Sequence, residues 1–468
     1  MSRSNTISGE ITVPFGLTRG RSCPVSRGWQ EFQAVVFAGG SGSGLYPLTV
    51  DRPKSLLPLG NMPMLFYQLR ILEKTGFVEV IVVCEKSESE EIGRVLQNYS
   101  GKICVDLFEV EEVEEGEYQG TADVLRALRD RIEGDFFVLT GDVVTTESLH
   151  NLADVHRLHD ASVTMLLKQH KDVHLKDERK KLRKQTKGVI NYFGLVEDEQ
   201  FNKNRRAGVA MMSSAAQEDP VEIHKQLLSR EPNIKLRTDL TDAHIYIVRR
   251  RVLDVLCTRG DDILSDKIAG MTSFRNDFLP FFINKLQFQY ENADGEALLA
   301  NLPGDSLDQV VGELGCRKKK SEFSCFALVC NTDVYCCRAN TLFSYCLMNH
   351  QIANLSLPGL AWPKPKASKF KETIVGESSE IDSSASIRSC VIGAHCKIAA
   401  GAKLLNTVVM DHCTIGSDVV LQGCVLSDRV TIEKRCNLSD VQLGVGCTIE
   451  TAGVRLKSQA LVESDFAQ

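Results

Sequence analysis

From Glu31 to about Lys285, short apolar runs alternate with longer amphipathic stretches. The runs Ala34–Phe37, Val78–Cys84, Val105–Val110, Phe136–Thr140, Val163–Leu167 and His244–Val248 are brief and rich in β-branched or aromatic side chains. Each therefore predicts a strand. Between the first two, Leu65, Leu69 and Leu72 recur at helical spacing and predict a helix starting near Pro63. Strands and helices in alternation predict an α/β domain, a mostly parallel sheet with helices on both faces. Ligands of such sheets sit beyond the carboxyl ends of the strands. The loop after Phe37 and the Gly141-Asp142 turn after Thr140 are thus expected to meet in one crevice.

After Lys371 the pattern changes. Aliphatic residues recur every five or six positions: Ile381, Ile387, Ile392, Ile398, Leu404, Val409, Ile415, Leu421, Leu426, Ile432, Leu438, Leu443 and Ile449. That period fits neither a helix nor a lone strand. It is the hexapeptide repeat of a left-handed parallel β-helix, in which each aliphatic side chain points into a triangular core and a corner follows. One coil of three faces takes ~18 residues, so four to five coils of roughly that size are expected. Cys390, Cys396, Cys413, Cys424, Cys436 and Cys447 share the stretch and are read as core or corner packing.

The remaining segments divide the chain. Residues 1–30 carry Arg3, Arg19, Arg21 and Arg27 against a single acid, Glu10, but Gly9, Pro14, Gly16, Gly20 and Pro24 break any amphipathic helix. They read as a disordered extension. The domain 31–285 follows, interrupted by a basic insert at 168–187 that lacks the aromatic interleaving of a single-strand binder. Residues 286–372 read as an irregular connecting segment, with a strand possible in Ser324–Tyr335, a helix in Asn340–Gln351 and a linker at Pro363-Lys364-Pro365. The β-helix takes 373–456 and a tail 457–468.

Composition narrows the function. A net charge of −6 gives no basic footprint for nucleic acid. No apolar run approaches the roughly 20 residues that span a bilayer. The sixteen cysteines form no Cys-x-x-Cys pair, which leaves reduced cytosolic thiols used as small hydrophobes rather than a zinc site.

The candidate chemistry lies in Gly39-Gly40-Ser41-Gly42-Ser43-Gly44-Leu45-Tyr46-Pro47-Leu48-Thr49, continuing to Pro53-Lys54-Ser55-Leu56. Glycines directly after a buried strand let backbone N–H groups converge on an anion. The absence of a terminal Gly-Lys-Ser/Thr excludes a P-loop, and Leu45 and Pro47 break the dinucleotide fingerprint. The frame resembles the signature of sugar-1-phosphate nucleotidyltransferases, with Gly44 at that signature's arginine position. Nucleotidyl transfer needs phosphate donors, cations and a carboxylate that carries Mg²⁺. Gly39, Gly40, Gly42 and Gly120 are candidates for the first, Lys54 for the second, and Asp142 for the nucleotide or metal site. Loss of one such charge stabiliser costs on the order of 10²–10³ in rate, so catalysis by this loop is disfavoured.

Longer strings sharpen the likeness. Gln119-Gly120-Thr121-Ala122-Asp123, Asp160–Leu167, Thr241–Ile247, Ser273–Pro280 and Asn61–Met64 resemble the gamma-subunit family of translation initiation factor 2B. That resemblance implies a Rossmann-like nucleotidyltransferase domain followed by the β-helix, and an accessory role with no catalytic residues and no cofactor. It implies a cytosolic assembly with epsilon, alpha, beta and delta subunits, in which the chain pairs with epsilon and the two together promote GDP release from initiation factor 2. The alternative is an active, Mg²⁺-dependent nucleotidyltransferase akin to mannose-1-phosphate guanylyltransferases. His395 and His412, within the repeats, read as corner histidines rather than an acyltransferase base. The acid run Glu109–Glu117 reads as a solvated loop that repels phosphates.

Overall fold

A computed structural model describes residues 31–40, 42–111, 120–169, 189–197, 201–216, 221, 223, 227–228, 231–258, 263–286, 323–331, 333–354, 370–450 and 452–462. The 1–30 extension, Gln119, most of the acid run and of the basic insert, and the proline linker lie outside the described residues.

All six predicted strands form. They are β1 (Phe32–Phe37), β2 (Glu79–Glu85), β3 (Cys104–Val110), β4 (Asp135–Thr140), β5 (Val163–Gln169) and, after β6 (Val189–Glu197), β7 (Arg206–Ala216) and β8 (Lys235–Arg237), β9 (Leu240–Val248). With β10 (Cys325–Cys330) they build one ten-stranded sheet in the order β8-β6-β7-β10-β5-β9-β4-β1-β2-β3. Side chains alternate between two cores: Val35 and Phe37 enter one, Ala34 and Val36 the other.

The sheet is mixed rather than mostly parallel. β4-β1-β2-β3 and β5-β10 run parallel, whereas β9 is antiparallel to both of its neighbours and β6, β7 and β8 pair antiparallel. Apolar patterning marks a strand as buried but carries no record of its direction.

The helix Met64–Thr75 starts directly after Pro63, buries Leu65, Leu69 and Leu72, and stops at Gly76 (φ 99°). There the Gly76 N–H donates to Glu73 O and the Phe77 N–H to Leu72 O, closing the last turn around a left-handed glycine.

Residues 286–372 are not one connecting segment. β10 lies inside the main sheet between β5 and β7, and Cys336–Arg338 pairs with Val143–Thr145. The helix Leu342–Asn354 then bridges to the β-helix. The first domain therefore reaches past residue 285, because its sheet is completed by a strand that arrives late in the chain.

The β-helix has three parallel sheets, six, five and five strands wide. Equivalent residues of successive coils, such as Cys396 and Ser379, are 17 apart, one fewer than expected, except at the last step, where Asn437 pairs with Arg455. Every aliphatic residue named for the repeat lies in its core except Ile381, which packs against the rim, and all six cysteines are buried with it. The Cys396 and Cys413 thiols donate to Met410 O and Ser427 O, each at 3.0 Å. His395 and His412 are exposed left-handed corner residues (φ 54° and 59°) that stack at 5.0 Å. Strands Arg455–Lys457 and Ala460–Leu461 extend the β-helix into the expected tail, since they keep the same ladder pairing.

A shared apolar cluster seals the two domains. Leu45, Leu57, Leu59 and Tyr67 meet Tyr345 and Met348 of the bridging helix and Val391, Val408 and Val425 of the β-helix. Asn61 donates its amide to Ile392 O at 2.6 Å, and Arg52 forms an ion pair with Asp428. No helix among the described residues is long and apolar enough to cross a membrane.

Candidate functional site

The expected crevice forms where β1 and β4 end. The Gly141 N–H donates to Phe37 O at 2.7 Å, and a Cβ on Gly141 would lie 2.9 Å from that oxygen. Only glycine lets the two strand ends approach so closely. Gly39, Gly40 (φ 132°) and Gly42 (φ 58°) follow β1, and the Thr49 hydroxyl donates to Gly42 O at 3.0 Å to fold the loop back.

Lys54 and Asp142 meet here. The Lys54 ammonium is 2.6 Å from Asp142 Oδ2. The second partner was not legible in the sequence: Arg338 donates from Nε to Oδ1 at 3.2 Å and from Nη2 to Oδ2 at 2.9 Å. Burial alone would raise the Asp142 carboxyl, but the charges of Arg338 and Lys54 outweigh it and hold the group well below the usual carboxylate range.

A second ion pair adjoins the first. β9 slips register between Asp242 and Tyr246, and His244 inside the bulge takes φ 55°. Its N–H donates to Asp242 Oδ1 at 2.8 Å, the Tyr246 hydroxyl donates to Oδ2 at 2.6 Å, and Arg275 Nε stands 3.3 Å from Oδ2. Desolvation, then the Arg338 charge, pulls the His244 imidazole down to about 4, so it is neutral at neutral pH. The only sequence signal for this cluster was polar residues placed inside an apolar strand.

Two expected residues sit elsewhere. Gly120 abuts Thr272, whose carbonyl oxygen would be 2.1 Å from a Cβ there; it is a packing glycine at a helix start. Arg52, which the sequence places near the loop as a cation able to compensate for the arginine missing at Gly44, turns out of the crevice to Asp428. Gly44 carries no arginine for a steric reason as well. A Cβ there would be 2.3 Å from the backbone oxygen of Asn340.

The residues present do not fit Mg²⁺. Mg²⁺ at a phosphate site needs a carboxylate free to coordinate it, and both oxygens of Asp142 are already engaged by Lys54 and Arg338. Asp142 brings one negative charge already shared by two cations, so a divalent ion there would meet two like charges for one opposite.

Comparison with known proteins agrees with this architecture. The Nucleotidyl transferase family model matches residues 33–174, and that of the GMPPB C-terminal domain matches 370–467. The chain is 30% identical to the translation initiation factor eIF2B subunit gamma of Dictyostelium discoideum over 366 residues, 72% of this chain and 78% of the relative. It is 31% identical to that of Schizosaccharomyces pombe over 332 residues, 70% of this chain and 66% of the relative. Likeness to probable mannose-1-phosphate guanylyltransferase 1 of Oryza sativa subsp. japonica is 31% over 139 residues, 29% of this chain and 37% of the relative. With the greater part of the chain matched on one side and under a third on the other, the chain belongs to the family of the gamma subunit of translation initiation factor eIF2B.

Proposed function

We propose that the chain is an accessory, regulatory subunit of the cytosolic eIF2B guanine-nucleotide exchange complex. It pairs with the epsilon subunit, joins alpha, beta and delta subunits in the full assembly, and supports GDP release from initiation factor 2 without turning over a substrate itself. It needs no cofactor for this. The carrying observation is the coincidence of gamma-subunit likeness over 72% of the chain with a crevice whose candidate metal ligand, Asp142, is bound by Lys54 and Arg338. The test is co-purification: an epsilon-like chain should come with it, and the pair should release GDP from initiation factor 2 faster than epsilon alone. Absence of both results would remove the reading.

The nucleotidyltransferase family match at 33–174 supports a second reading, an active sugar-1-phosphate nucleotidyltransferase using Mg²⁺. Robust pyrophosphate release from a sugar-1-phosphate, GTP or ATP and Mg²⁺ by the pure chain would establish that reading. The Lys54–Asp142–Arg338 cluster favours no release.

A further inference from the structure

Residues 336–341 form a strap across the mouth of the crevice. Its strand Cys336–Arg338 pairs antiparallel with Val143–Thr145, the residues directly after Asp142. Three contacts of different kinds hold it there. The Arg338 guanidinium spans both carboxylate oxygens of Asp142, and the Ala339 N–H donates to the Asp142 backbone oxygen at 2.9 Å. The Asn340 carbonyl fills the space beside Gly44, 2.3 Å from where a Cβ would stand. The strap then locks into the bridging helix, where Thr341 and Ser344 exchange hydrogen bonds at 3.0 and 3.1 Å.

We propose that this strap is an intramolecular plug and that Asp142 is its anchor. One short segment occupies two places at once: that of a metal ion on Asp142, taken by the Arg338 guanidinium, and that of a side chain at residue 44, taken by the Asn340 carbonyl. Gly44 and the strap explain each other, since any larger residue at 44 and the strap in this position exclude one another. The crevice is closed by occupation, and restoring an arginine at 44 cannot reopen it while the strap stays anchored. This deepens the accessory-subunit reading but is tested without any exchange assay, so the two can fail separately.

The test uses the full chain and the variants Asp142→Asn, Arg338→Gln and both together. Asp142→Asn leaves two cations facing each other without the carboxylate between them and is expected to lower Tm by about 10 °C. Removing Arg338 as well relieves that repulsion, so the double variant should be no less stable than Asp142→Asn alone. Additive losses would overturn the anchor. Should Asp142→Asn fail to fold, hydrogen exchange decides: Arg338→Gln should speed amide exchange across 336–341 at least about tenfold, with β-helix amides unchanged and Arg338→Lys close to wild type. Unchanged strap exchange in Arg338→Gln, or acceleration spread equally into the β-helix, would overturn the plug. A stoichiometric Mn²⁺ site in the wild-type chain, detected by electron paramagnetic resonance and lost in Asp142→Asn, would likewise overturn it.

Discussion

The β-helix and the crevice use buried side chains in opposite ways. In the β-helix each coil repeats the last at a step of 17 residues, 18 at the last, its ladders pair neighbouring coils, and the core is aliphatic and thiol. Around the crevice nothing repeats. Asp142 depends on Lys54, 88 residues earlier, and on Arg338, 196 residues later. The first region distributes its stability over near-equivalent positions, as in a one-dimensional array. The second concentrates it in a few charges that cannot be exchanged one at a time.

The largest effect should come from the repeat itself. Leu421→Ala opens a cavity in a fully buried column and should cost about 4 kcal/mol in urea denaturation, with Leu404→Ala costing nearly the same. Strongly unequal costs at those two equivalent positions would break the claim of uniformity. Gly44→Arg comes next. Its side chain collides with the Asn340 backbone, so stability should fall by about 3 kcal/mol while pyrophosphate release stays at background. High turnover from that one change would show that the crevice is open after all.

A pH effect should come from His244 in the sheet domain. His244 titrates near 6.5 when unfolded and at about 4 when folded. Between those values the unfolded chain binds more protons, so stability falls as pH drops from 6.5 to 4 and the contribution is fully present above that window. The loss is on the order of 3 kcal/mol, and His244→Gln should flatten it. A slope that survives in the variant would assign it to another group. The smallest effect is Arg52→Ala, about 1 kcal/mol, because this ion pair is partly exposed and tethers the two regions from outside.

How far the sequence can be read follows the same division. Ile392, Ile415 and Leu438 announce their environment by period alone, since each repeats its neighbours' contacts. Most of the six early strands are legible for a similar reason, their apolar runs being set by burial on both faces. Direction is not encoded that way, so the reversed β9 and the late insertion of β10 were hidden. Asp142 was recognisable as a buried carboxylate at a strand end, but its partners are fixed by the tertiary fold. Gly44 shows the limit most clearly: the missing arginine was visible, whereas the carbonyl that forbids it is nearly three hundred residues away in the chain.

Arg52 and Lys54 flank Pro53 and point to different masters, one to Asp428 on a β-helix corner and the other to Asp142 on the crevice floor. The proline between them fixes its own φ, which restricts how the two side chains can diverge. One short stretch of backbone is thereby held at both ends, by a carboxylate of each domain.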